Sequence, residues 1–113
     1  MTAESQIEGA VCRHAQRIGM SSHKWKGVNE KGLPDRIFII PGPIAHWFAV
    51  EFKKPGGVLS PSQKRKIKKF RSMGVHVYTC CTIDMGVSIL NTQKREHLKR
   101  VKILQEALVN KHG

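Results

Sequence analysis

The sequence predicts an α/β domain, a central mixed sheet of about four strands flanked by helices. Three observations carry that prediction. Apolar residues recur at helical spacing near both ends of the chain, short β-branched and aromatic runs lie between them, and one helix start separates two of those runs. At 113 residues the chain has room for one hydrophobic core, so residues 1–113 are expected to form a single domain.

From Glu4 to Ile18, the apolar residues Ile7, Ala10, Val11, Ala15 and Ile18 fall on one side of a helix, and Gly19 follows as a stop. Residues 23–28, HKWKGV, alternate polar and apolar side chains as a short strand does. NEKGLP is a loop, and Asp35 opens DRIFII, a strand rich in β-branched residues. Pro41-Gly42-Pro43 is a turn. Ile44 to Lys53 reads as a longer strand, central in the sheet because its apolar residues fall on both faces. Ser60 and Pro61 supply a hydroxyl cap and a first-turn proline for a helix running to about Met73. VHVYTC is another strand. A short helix is expected from Ile83 to about Leu90, carrying Met85, Val87 and Leu90. A separate last helix from about Gln93 to Val109 is expected to present Leu98, Val101, Leu104, Ala107 and Leu108 on one stripe. The predicted order is α-β-β-β-α-β-α-α.

Twenty Lys and Arg against eight Asp and Glu leave a formal charge of +12, and eight cations with no acid lie from Lys53 to Arg71. Such an excess is the footprint of a polyanion. No apolar run has the length of a membrane span and no signal-peptide pattern opens the chain, so a cytoplasmic protein is expected. Cys80 and Cys81 are adjacent, and with Cys12 they form no CxxC pair, which fits a reducing compartment. The six histidines show no zinc-ligand spacing.

The chemistry lies in Pro34-Asp35 and, sixteen residues on from Asp35, Glu51-Phe52-Lys53. Alternate strand residues share a face, so Glu51 and Lys53 emerge together at the end of an apolar strand. With the hairpin centred on Gly42, Asp35 faces Ala49 and lies diagonal to Glu51 on that same face. A slip of one residue would turn it away. Two carboxylates there suit a hard cation such as Mg²⁺, and Lys53 would orient a water or balance charge during phosphodiester hydrolysis. Gln63 lies four residues before Ile67 on the inward stripe of the Ser60 helix, where its amide would point at the same strand end.

PDRIFII, FAVEFKKPGGVLSPSQ and VHVY together resemble the VRR-NUC family, a branch of the PD-(D/E)xK nucleases, in its short stand-alone form common in phages and prophages. The resemblance runs from about Glu4 to Tyr78. It implies a restriction-endonuclease-like core, dependence on Mg²⁺ or Mn²⁺, and cutting of structured or branched DNA such as four-way (Holliday) junctions or flaps. Carried onto this chain, the metal-binding acids are Asp35 and Glu51, the lysine is Lys53 and the glutamine is Gln63, with the backbone carbonyl of Phe52 a further ligand. The first-helix glutamate falls on Glu8, although Ser5-Gln6-Ile7-Glu8 also fits a helix-capping box and Glu4 competes for the role. DNA contacts are expected from Lys24, Lys26, Arg36, Lys54, Lys64, Arg65 and Lys68, with Glu30 an acid beside that path. The resemblance also implies a homodimer, for which the last helix and Met85, Val87 and Leu90 offer apolar surface. The competing reading is a basic DNA-binding module whose acids are structural.

Overall fold

The computed structural model describes residues 3–25 and 30–112. Its elements are α1 (Glu4–Arg17), β1 (Ser21–Lys24), β2 (Arg36–Ile40), β3 (His46–Phe52), α2 (Pro61–Ser72), β4 (Val77–Cys80) and α3 (Ile83–His112). The strands form one sheet in the order β1-β2-β3-β4, antiparallel at the first two junctions and parallel between β3 and β4. A parallel neighbour needs a crossover, and α2 supplies it.

The two faces of β3 sort the helices. Its even positions, Phe48, Val50 and Phe52, join Phe38 and Ile40 under α1 and α3, where Ile7, Val11, Ala15 and Leu90 close the main core. Its odd position Ala49 packs with Ile67 of α2 and Val77 of β4, flanked by Trp25, Leu59 and Phe70. Burial on both faces confirms β3 as an interior strand. Where α3 crosses α1 the backbones come close at Gly86. A Cβ there would stand 2.3 Å from a methyl of Val11 and 3.1 Å from the Cys80 sulfur, so only glycine fits.

Three sequence expectations need correction. The two C-terminal helices are one 30-residue helix. Asn91 and Thr92 are poor helix formers but no breakers, and packing overrides them: His14 bonds the Asn91 side chain at 2.8 Å, while Gln93 continues the buried stripe. The first strand is Ser21–Lys24, starting two residues before the expected 23–28, and of that expected span residues 26–28 lie outside the described residues. The hairpin register pairs Ile37 with Ala49, two residues from the expected pairing of Asp35 with Ala49. The connection between Ile40 and His46 takes five residues, centred on Pro43, because Pro41 and Pro43 have no N–H to extend the ladder.

Only part of the expected C-terminal stripe is buried. Of the stripe only Val101 is buried, while Leu98, Leu104 and Leu108 are 54%, 47% and 59% exposed. A helix of 30 residues is about 45 Å long. The molecule's longest extent is 54 Å, so this helix sets its length. No helix among the described residues is long and apolar enough to cross a membrane.

Candidate active site

The site forms where β2 begins and β3 ends. Because the register shifted by two residues, parity is kept and the expected face survives. Continued one step past Arg36 and Val50, the register sets Asp35 across from Glu51, nearer than the diagonal placement expected. Even positions of β3 turn their backbone groups toward β2, and the next partner for Phe52 would be Pro34. Proline has no N–H to give the Phe52 carbonyl, and the Phe52 N–H donates to Asp35 Oδ2 at 2.7 Å. On the other side, the Trp25 N–H donates to the Asp35 carbonyl at 3.1 Å. Asp35 is thus pinned through both its backbone and its side chain.

The loop carrying Asp35 rests on the start of α2. Gly32, at φ +85°, lies so near Ser62 that a Cβ would fall 2.4 Å from its carbonyl oxygen. Lys66 holds Glu30 of this loop at 3.2 Å. Sequence reasoning missed this seat for the loop, although a glycine two residues before Pro34 is the available signal.

Glu51 is 2% exposed. Gln63 Nε2 donates to its Oε2 at 2.5 Å, and Lys53 Nζ stands 3.7 Å from the same oxygen. Its other oxygen, Oε1, is buried and has no hydrogen-bond partner. Burial foremost, then the charge and carboxyl contact of Asp35, push the Glu51 pKa up to about 8, with Lys53 pulling it the other way. Gln63 does two things at once: its Oε1 accepts from the Ser60 N–H at 2.8 Å, closing the cap of α2, while its amino group reaches the acid.

Glu8 does not close a helix cap. Helix α1 starts two residues earlier than a Ser5 cap requires, and the Ala3 N–H is taken by Gln6 at 2.9 Å. Glu8 Oε2 instead accepts from Arg36 Nε at 2.6 Å, and Glu4, the rival acid, accepts from the Lys54 N–H at 3.2 Å. Glu8 and Asp35 line one hollow of about 310 Å³ together with Lys24, Trp25, Glu30 and Leu33. Asp35, Glu51, Lys53 and Gln63 come together, with Glu8 on the wall beside them. Among the described residues no group of three or more His, Cys, Asp or Glu side chains is arranged to hold a metal ion. Two facing carboxylates with an unpartnered buried oxygen nonetheless make an acceptor set that a hard divalent cation fits.

Of the cations expected along DNA, Lys24, Lys54, Lys64, Arg65 and Lys68 are exposed. Arg36 is engaged by Glu8, and Lys26 lies outside the described residues. Elsewhere on α2, Arg71 donates twice to the Val77 carbonyl, at 3.0 and 2.7 Å, and so serves the fold.

A four-stranded mixed sheet with α1 and α3 on one face, α2 on the other and paired acids at a strand end is the architecture of restriction-endonuclease-like domains. The VRR-NUC domain profile matches residues 4–84, and the chain belongs to the VRR-NUC family, a family of DNA nuclease domains. Two solved structures share the fold. One, a VRR-NUC domain, is 21% identical with a TM-score of 0.71 and covers 80% of this chain and 97% of its own. Another, a VRR-NUC domain protein, is 22% identical with a TM-score of 0.64, covering 80% and 86%. No curated protein matches the chain.

Proposed function

We propose that this nuclease domain is an endonuclease that hydrolyses phosphodiester bonds in branched DNA with Mg²⁺, for which Mn²⁺ would substitute. The observation that carries the reading is the unpartnered Glu51 Oε1, buried beside Asp35. A buried carboxylate oxygen without a donor is costly, and a cation relieves both that cost and the repulsion between the two acids. Asp35, Glu51 and the Phe52 carbonyl are the residues to hold it, with Glu8 in reserve on the shared wall. When bound, the cation supplies positive charge that polarises the scissile phosphate and acidifies a water.

The chain's own groups do the rest. Gln63 fixes Glu51 through Oε2 and leaves Oε1, which would serve as the ligand oxygen, unpartnered. The Phe52 N–H sets the rotamer of Asp35. Lys53 is the one ammonium beside Glu51 among the described residues, placed to orient the attacking water or to balance negative charge gathering on the phosphate. Lys64, Arg65 and Lys68 offer phosphate contacts on α2, the helix that also delivers Gln63 to the site.

A four-way junction requires two related incisions, and a two-fold dimer would supply two sites in matching orientation. The exposed Leu104 and Leu108 on the outer half of α3 support such a homodimer. The test is one assay: linear, flap and four-way DNA incubated with Mg²⁺ or EDTA, alongside light scattering. Mg²⁺-dependent cuts favouring junctions, from a particle of twice the 12.7 kDa chain mass, are the expected result. Equal DNA binding with and without EDTA and no cleavage on any substrate would leave a binding module in its place.

A further inference from the structure

Both acids at the start of α1 are already engaged, and one is engaged by a side chain that DNA would also attract. Glu4 takes a backbone N–H, whereas Glu8 takes the guanidinium of Arg36 through a short charge-assisted bond of 2.6 Å. The pair is half-buried, with 20% of the Arg36 and 22% of the Glu8 side chain exposed, so it can still exchange partners at the surface. Lys24 lies across the strand pair from Arg36, so Glu8 answers a local excess of positive charge. Glu8 also shares its hollow with Asp35, the neighbour of Arg36 in sequence.

We propose that Arg36 is a positioning residue that holds Glu8 away from the cation until a DNA phosphate takes its guanidinium, so that arrival of DNA completes the acidic set. A guanidinium satisfies a phosphate as well as a carboxylate, in the same forked geometry. Once Arg36 turns to phosphate, Glu8 loses its partner, and a cation held by Asp35 and Glu51 would lie at the hollow that Glu8 shares with Asp35, open to its carboxylate. DNA-free protein therefore binds the cation through two acids and DNA-bound protein through three. The cation half of this inference rests on the Asp35–Glu51 reading above; the sharing of Arg36 between Glu8 and phosphate does not.

Two measurements separate those halves. In EDTA, dissociation constants for a fluorescein-labelled 20-base-pair duplex are read by anisotropy for wild type, Glu8→Gln, Arg36→Gln and the double variant. Glu8→Gln tightens binding several-fold in wild type because it frees Arg36, and leaves binding unchanged in the Arg36→Gln background. Equal tightening in both backgrounds would overturn the proposal, since a general loss of negative charge would then suffice. In the second, Mn²⁺ binding to DNA-free protein is followed by the electron paramagnetic resonance of free Mn²⁺. Glu8→Gln leaves the affinity unchanged, and Arg36→Gln raises it about tenfold by releasing a third carboxylate. A loss in Glu8→Gln as deep as that in Glu51→Gln would show that Glu8 is never held aside. No Mn²⁺ bound by wild type, and none lost in Glu51→Gln, would instead count against the cation reading while the EDTA cycle still judges Arg36.

Discussion

Strand β3 carries a buried polar cluster at each end, and the two are built on opposite terms. At its start, His46 Nε2 meets Gln93 Oε1 at 2.8 Å, and the Gln93 amino group serves His76 Nδ1 at 3.1 Å and the Tyr78 hydroxyl. His97 stacks on His46 with ring centres 5.2 Å apart and reaches the Ile44 carbonyl at 2.6 Å. Gln93 and His97 are each only 5% exposed, and both find partners. At the other end, Glu51 is buried as deeply but keeps one oxygen unpartnered and faces a second acid. A buried polar network that satisfies itself fastens α3 to the sheet; one that leaves an oxygen bare invites a ligand.

The largest expected effect breaks the bare end. Glu51→Gln should lower cleavage on the order of a thousandfold or more, since the cation loses a charged ligand at the reacting phosphate. The same variant should not unfold the domain. With metal removed, the Glu51 pKa stands raised from 4.5 to about 8, so the acid's contribution to stability is fully present below pH 4.5 and declines as pH rises toward 8. Thermal unfolding in EDTA from pH 5 to 8 should therefore show a downward slope that Glu51→Gln flattens. Equal slopes in both proteins would mean that Glu51 is no longer strained without metal.

The complementary change strikes the satisfied end. Gln93→Leu would strand His46, His76 and Tyr78 at once, and should cost about 2–3 kcal/mol by denaturant unfolding. Cleavage per folded molecule should be unchanged. Lost activity at full stability would mean that the two ends are coupled along β3 rather than independent.

The two ends were unequally legible in the sequence. The acid pair needed only local rules, because a period of two puts Asp35, Glu51 and Lys53 on one face, and a register error of two residues leaves that face unchanged. Ser60-Pro61 marked the helix that brings Gln63. The histidine end was illegible: 46, 76 and 97 have no metal-like spacing, and they meet only because β4 pairs with β3 in parallel while α3 folds back over both. The claim of Glu8 on Arg36 was hidden for the same reason, since its two members come from α1 and β2. The continuity of α3 was missed because its middle is held by tertiary bonds at Asn91 and Gln93, which local propensity does not contain.

A smaller effect sharpens where DNA lies relative to these ends. Replacing Lys64, Arg65 and Lys68 with alanine should weaken binding on all sequences and flatten the dependence of log affinity on log salt by about 0.9 for each phosphate no longer neutralised. These cations stand on α2, beside the acid end. An unchanged slope in the triple variant would move DNA off α2, to the exposed cations of α3.

The smallest effect is the pH response of the histidine end, which has the opposite sign from that of the acid end. Burial foremost, and then Arg100, His97 and His76, lower the pKa of His46 from 6.5, against the upward pull of Gln93. A base with a depressed pKa contributes stability that is complete above 6.5 and is lost as pH falls through the folded value. The geometry adds a limit. Gln93 turns its carbonyl oxygen to His46 while its amino group is committed to His76 and the Tyr78 hydroxyl, so the amide is not free to turn. Protonating His46 therefore places a charge in a buried site beside Arg100. Hydrogen exchange of α3 amides around Gln93 should accelerate between pH 6.5 and 5, by more than the amides around Gln63 at the acid end once intrinsic rates are corrected. His46→Phe keeps an aromatic ring on His97 while removing the group that protonates, and should reduce that acceleration. Equal acceleration at both ends would show acid acting on the whole domain rather than on this joint.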